Sequence, residues 1–178
     1  MLKPILERRS IRRYTDEAVS DAEVEQILEA ARLAPSGSNT QPWRFTVVRD
    51  AAKRAAIAQA SHRQEWMNTA PVHVVCVADI RCRIPGYAGP PLDDENPLPE
   101  LKKIIRDTSI AVEHLVLEAT ELGLGTCWLT IAVVCGEDLK KHLGLADDRE
   151  LLGTGISAKA LQEFHNFPVA CSLGNIIG

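Results

Sequence analysis

Four arginines and a serine fall within six residues, Arg8-Arg9-Ser10-Ile11-Arg12-Arg13, with Tyr14 directly behind them. A guanidinium presents a planar fork of donors that matches phosphate oxygens, and its charge does not titrate away near neutral pH. Ser10 adds a hydroxyl of the kind that holds a phosphate edge. A second polar segment follows at Ala34-Pro35-Ser36-Gly37-Ser38-Asn39-Thr40-Gln41-Pro42-Trp43. Pro-Ser-Gly-Ser-Asn is turn chemistry that exposes backbone N–H groups and short polar side chains. Asn39 and Gln41 each carry an amide that donates and accepts at once, as the mixed edge of a pyrimidine ring requires. The two segments read as two walls of a site for an anionic, planar ligand. Each also has a plain structural reading. The arginines could be the solvated C-terminal end of a short helix over 2–9, offsetting its dipole. The turn could be only a helix-to-strand connection with Trp43 as a core anchor.

A third segment, Gly123-Leu124-Gly125-Thr126-Cys127-Trp128, reads as a helix stop feeding a strand, with two glycines that allow a ligand ring to approach. It is no P-loop, and no GxGxxG opens a helix after a strand, which disfavours Rossmann-type dinucleotide binding. Ser10, Ser36 and Ser38 sit in no GxSxG elbow, and there is no HExxH. His62 and His114 fall in helical patterns and read as surface or satisfied side chains. With no nucleophile and base pair, the chemistry belongs to a bound cofactor, which the protein positions and tunes.

The composition fits such a role. The 178 residues carry a net charge of -4, with 46% hydrophobic and 25% charged residues, as expected of one soluble domain or one subunit of an intertwined dimer. An acidic chain argues against a nucleic-acid partner. No stretch approaches the roughly 20 apolar residues of a membrane helix, and the N-terminus lacks a secretory h-region. The five cysteines form no CxxC pair and no closed disulfide framework, so they are expected to be reduced in the cytoplasm, with Cys76 and Cys127 as core thiols. The five histidines show no ligand-like spacing, so no metal site is expected.

The elements that must position these segments are legible in part. Ser20-Asp21-Ala22-Glu23 is a capping box, and Val24, Ile27, Leu28 and Ala31 follow at helical spacing, predicting a helix over about 21–34 that ends before Pro35. Phe45-Thr46-Val47-Val48 predicts a short strand, and Asp50 caps an alanine-rich helix to about Ala60. The run Val72-His73-Val74-Val75-Cys76-Val77 predicts a buried central strand. Residues 81–99 hold five of the ten prolines and read as a loop or lid containing Tyr87. A helix resumes after Pro99, and over 108–122 its apolar positions cover more than one face, which predicts burial in the core of a domain or a dimer. Gly123 and Gly125 end it. Cys127-Trp128-Leu129-Thr130-Ile131 predicts a second inner strand. A short helix over 136–143, a strand over 151–156 and an apolar tail over 169–177 complete the pattern, that of an α+β sandwich in a single domain, 1–178.

In order and spacing, Arg8-Arg9-Ser10-x-Arg12, the capped helix, Pro35-Ser36 through Asn39-x-Gln41-Pro42-Trp43-Arg44-Phe45, and Gly123-Leu124-Gly125-Thr126-Cys127-Trp128 resemble the FMN-dependent nitroreductase family over roughly residues 5–145. The resemblance implies a three-layer α+β sandwich with a mixed, mostly antiparallel sheet, assembled as an intertwined homodimer with FMN at the subunit interface. It implies that Arg8, Arg9, Ser10 and Arg12 hold the phosphate and ribityl side, with Arg12 near the pyrimidine edge. Pro35, Ser36, Gly37, Asn39 and Gln41 would approach the flavin from the partner, and Leu129 and Thr130 would lie near its N5 edge. It further implies hydride transfer from NADH or NADPH to a nitroaromatic, quinone or similar small acceptor. A non-enzymatic or degenerate flavin-binding member of the same fold is the alternative. Two departures stand out. Thr130-Ile131 stand where the family often has glycine, and no Arg or Lys follows Lys159 where a basic tail is usual, which suggests weaker FMN binding. The apolar tail would then be free to pack on the partner as an extra strand.

Overall fold

The computed structural model describes residues 1–61, 64–83, 85, 99–130 and 169–175. Its helices are α1 (Lys3–Glu7), α2 (Asp21–Arg32), α3 (Ala51–Ala60) and α4 (Pro99–Glu121), and its strands are β1 (Trp43–Val48), β2 (Val72–Ala78), β3 (Leu124–Thr130) and β4 (Val169–Asn175). The predicted short helix over 136–143, the strand over 151–156, Lys159, His62, Tyr87 and most of the 81–99 loop lie outside the described residues.

The local signals act as expected. Ser20 Oγ accepts the Glu23 N–H while the Glu23 carboxylate accepts the Ser20 N–H, so both halves of the capping box close. Asp50 accepts the Lys53 N–H and starts α3. The helix α4 stops at Gly123, whose φ of 79° is the left-handed C-terminal geometry glycine serves best. Gly125 takes no part in that stop, because it already lies within β3.

The strands form one sheet in the order β1-β2-β4-β3, with every neighbouring pair antiparallel. Period-two alternation assigns the faces. Val72, Val74 and Cys76 of β2 face α2 and α4, where Val24, Ile27, Ala31, Val112 and Leu115 close the larger core cluster. Val75 and Val77 face the other way, onto Ile57 and Ala58 of α3 and onto Met67. Helices therefore cover both faces, and the three-layer α+β sandwich is the observed architecture.

Two expectations need correction. The strand predicted over 127–131 begins three residues earlier, at Leu124. It is the outermost strand of the described sheet, its free edge touched by a parallel bridge from Ser10 to Thr126. The apolar tail does not reach for a partner. As β4 it enters its own sheet between β2 and β3, pairing Val72 to Cys76 on one side and Leu124 to Thr130 on the other. A strand there satisfies backbone groups that both neighbours would otherwise leave open.

His73 is the polar residue in the interior of β2. It is fully buried, and its Nε2 donates to Met67 O at 3.0 Å, while Nδ1 has no partner among the described residues. Burial pushes its pKa down to about 4, helped by the Arg54 charge and opposed by the Met67 hydrogen bond. The folded state therefore holds a neutral ring, while the unfolded chain takes a proton near pH 6.5. This contribution is complete above that pH and is lost as pH falls toward 4, which amounts to about 2 kcal/mol between pH 7 and pH 5. Urea titrations at the two values are expected to show that loss, and His73→Val is expected to flatten it. A parent stability equal at both pH values would contradict the buried neutral imidazole.

Candidate functional site

Residues 8–12 leave α1 and run along the free edge of β3. Ile11 N donates to Thr126 O at 2.8 Å, which fixes the segment's position. Tyr14, buried to 3% exposure, anchors it from behind by donating its hydroxyl to Ile11 O at 2.7 Å. The Arg12 guanidinium lies 5.9 Å from the centre of the Trp66 ring, a cation–π distance. Trp66 is itself held by donating to Gln64 Oε1 at 3.1 Å, and both it and Leu129 pack on the smaller core cluster. Burial raises the Cys127 thiol above its ordinary pKa, against the opposing pull of the Arg12 charge and a Ser10 hydrogen bond. Ser10, Arg12, Trp66, Cys127 and Leu129 thus gather on the α3 side of the β3 edge.

The arginines differ in how they are used. Arg9 turns back on α1, donating to Leu6 O at 2.9 Å and Arg8 O at 2.7 Å. This is the helix-end role that the plain reading gave the whole cluster. Arg8 and Arg12 have no carboxylate partner among the described residues. Within that set they are cations without a counter-charge, the condition a bound anion would satisfy.

The turn is built differently from its sequence signal. Ser38, Asn39 and Gln41 stand at φ of 57°, 53° and 45°, the left-handed region that non-glycine residues seldom occupy. Gly37 lies close to Arg83: an added Cβ would stand 2.9 Å from Arg83 Nη2, the end of a flexible side chain that can give way. Within the turn, Asn39 N donates to Ser36 O at 2.9 Å, Thr40 N to Gly37 O at 3.3 Å and Gln41 N to Ser36 Oγ at 2.9 Å. Gly37 N donates to Asp107 Oδ2 of α4 at 2.9 Å. Among the described residues the Ser38 N–H has no such partner, so it is a free donor that the sequence did not single out. Pro35 is exposed at the entry to the turn, and Thr130 ends β3, paired with Val169.

The two walls do not meet within one chain. Ser10 sits level with Thr126, which pairs with Leu173, which pairs with Val72 at one end of β2. The turn joins the other end, where Asp79 N donates to Pro42 O at 2.7 Å beyond Ala78. Six residues of strand, about 20 Å, separate those levels.

The fold and these segments define a family, and comparison with known proteins agrees. The chain matches the Nitroreductase family over residues 5–156 and belongs to it. It is 38% identical over 152 residues to an Archaeoglobus fulgidus protein provisionally named NADH dehydrogenase/NAD(P)H nitroreductase, covering 85% of this chain and 75% of the relative. It is 31% identical over 129 residues to the FMN reductase (NAD(P)H) of Bacillus subtilis, covering 71% of this chain and 52% of the relative. A Desulfovibrio desulfuricans structure, described as a nitroreductase in complex with FMN, superposes with a TM-score of 0.68 at 29% identity, over 99% of this chain and 86% of the other.

Proposed function

We propose that this chain is an FMN-dependent oxidoreductase that takes hydride from NADH or NADPH and passes it to a nitroaromatic, quinone or similar small acceptor. The observation that carries the reading is the pair Arg8 and Arg12, without a carboxylate partner among the described residues and flanking the stretch that Ser10 and Ile11 fix to β3. The residues fit the cofactor. Arg8, Ser10 and Arg12 offer cationic and hydroxyl donors for a phosphate and for a carbonyl edge. The turn offers the Ser38 N–H with the amides of Asn39 and Gln41 for a ring that both donates and accepts.

When bound, FMN supplies the redox chemistry. The chain's residues bind it and set its electrostatics. Arg12, held over Trp66, places a fixed charge where electron density would accumulate, and a preorganised charge needs no rearrangement during the reaction. Leu129 and Thr130 present the end of β3 to the reacting edge. No side chain is required as an acid or base, since solvent can deliver protons.

The 20 Å between the two walls supports a homodimer in which the turn of one subunit faces the arginines of the other. An apolar surface supports the same assembly. Leu2, Pro4, Ala30, Leu33 and Leu117 line a cleft of about 610 Å³ between α1, α2 and α4. Beside it Met1, Ile5 and Leu6 are exposed to 92%, 51% and 54%. Light scattering is expected to give twice the chain mass, and a monomer would overturn the shared site. Cys76, Cys82 and Cys127 form no disulfide among the described residues, which supports a reducing, cytoplasmic setting. No described helix is long and apolar enough to cross a membrane.

The arginines are expected to separate by experiment. Arg9→Ala is expected to leave FMN affinity within about threefold of the parent, because its guanidinium is committed to α1 and an exposed cap contributes only tenths of a kcal/mol. Isothermal titration with FMN reads this directly. A loss as large as that of Arg8→Ala would return Arg9 to the binding set. The reading as a whole is tested by the visible spectrum of the purified protein, where a flavin band at one per chain is expected and a colourless protein that ignores added FMN would refute it.

A further inference from the structure

The 36–41 turn is tied to the body of the protein at both ends: Gln41 O accepts from Arg44 Nη1 of β1 at 3.3 Å, and the Gly37 end meets a buried carboxylate. Left-handed backbone costs about 1–2 kcal/mol per non-glycine residue and persists only where the surroundings over-determine it. The bonds from Gln41 N to Ser36 Oγ and from Asn39 N to Ser36 O close the turn on itself but do not dock it. Docking of the Gly37 end comes from α4. The Asp107 side chain, 5% exposed, accepts the Gly37 N–H at 2.9 Å, and its other oxygen lies 3.7 Å from Arg106 Nε. Arg83 closes the opposite side, its Nη2 standing where a Gly37 Cβ would touch it, and it is paired to Glu100 in the first turn of α4 at 2.9 Å.

A connection between a helix and a strand does not call for a buried carboxylate. Desolvating the charge is costly, and aspartate is a poor residue for a helix interior. With Arg106 beside one oxygen, the other is turned to the Gly37 N–H, which makes sense where the shape of the turn itself must be fixed.

We infer that Asp107 is a positioning residue. By taking the Gly37 N–H it locks the 36–41 turn in its left-handed shape, and so sets the Ser38 N–H and the Asn39 and Gln41 amides for the flavin. The inference rests on the flavin reading above and extends it to a residue far from the arginine segment. The Gly37 N–H is consumed by this clamp, so Gly37 is not a donor to the ligand.

Asp107→Ala and Asp107→Asn, made in the full chain, test this with two readouts: hydrogen exchange of the Gly37 amide without ligand, and FMN affinity by flavin fluorescence quenching. Asp107→Ala is expected to speed Gly37 exchange at least tenfold and to weaken FMN about ten- to hundredfold, the usual loss for a hydrogen bond to a charged acceptor. Asp107→Asn keeps an acceptor oxygen and is expected to restore both to within about threefold, a rescue that general destabilisation would not give. Unchanged Gly37 exchange in Asp107→Ala overturns the clamp, and faster exchange with unchanged FMN affinity overturns its role in the site. A parent chain that binds no FMN overturns the flavin reading instead, and Gly37 exchange still decides the clamp. If Asp107→Ala does not fold, Asp107→Ser probes the same contact with a side chain too short to reach Gly37. It is expected to speed Gly37 exchange and weaken FMN at least tenfold, and parent-like values would count against the proposal.

Discussion

Replacing Arg8 and Arg12 together by alanine is expected to turn the protein into a colourless apoprotein. Each guanidinium lacks a carboxylate among the described residues, so neither is holding the fold through an ion pair. Charge-assisted hydrogen bonds contribute about 1.5–3 kcal/mol each, so losing both is expected to weaken FMN by roughly two to four orders of magnitude. Stability is expected to change little, because Arg12 is exposed and its main contact is the Trp66 face. Gel filtration reads the result: FMN is expected to separate from the protein peak. Stoichiometric flavin travelling with the double variant would remove these two residues from the phosphate site. The cation–π contact adds a finer expectation. Quenching of Trp66 fluorescence is expected to change on FMN binding in the parent chain, since the ring lies 5.9 Å from the cation proposed to meet the ligand.

The second large effect concerns β4. A chain ending at Pro168 loses the strand that bridges β2 to β3, and with it five residue pairs on one side and seven on the other. The sheet then splits into β1-β2 and a lone β3, each with open backbone groups facing the interior. The loss is expected to exceed the whole stability of a domain this size, about 5–15 kcal/mol. The truncated chain is expected to be insoluble or to lack a cooperative melt by circular dichroism. Ser172→Pro delivers the same insult with one residue, since Ser172 pairs with His73 on one side and Cys127 on the other and proline cannot donate to a ladder. A truncated chain melting cooperatively within about 5 °C of the parent would show that β4 is dispensable.

These two predictions mark where sequence and structure part. The helices and β2 were legible because their signals are local: a capping box at Ser20, a cap at Asp50, a β-branched run from Val72. The strand β4 was not. Val169-Ala170-Cys171-Ser172-Leu173-Gly174-Asn175 has one β-branched residue and no alternation, and its identity comes from the two neighbours that pair with it. The site shows the same division. The arginine cluster announced itself by charge and spacing, yet the sequence could not tell Arg9, which closes α1, from Arg8 and Arg12, which have no carboxylate partner among the described residues. In the turn, the polar residues read as turn chemistry, but nothing in them marked Ser38, Asn39 and Gln41 as the three that adopt left-handed backbone. Asp107, 70 residues away in sequence, gave no sign of its part, because nothing local marks an aspartate in a long helix as the partner of a distant turn.

The central claim is that this chain moves hydride from a nicotinamide through FMN to a small acceptor. Its most direct test is an anaerobic titration of the purified holoprotein with NADH and, separately, NADPH, followed by addition of a nitroaromatic or a quinone. The visible flavin band is expected to bleach with one equivalent of at least one nicotinamide and to return when the acceptor is added. A flavin band unmoved by either nicotinamide, in protein that retains FMN, would contradict the oxidoreductase assignment and leave a flavin-binding protein without the reaction.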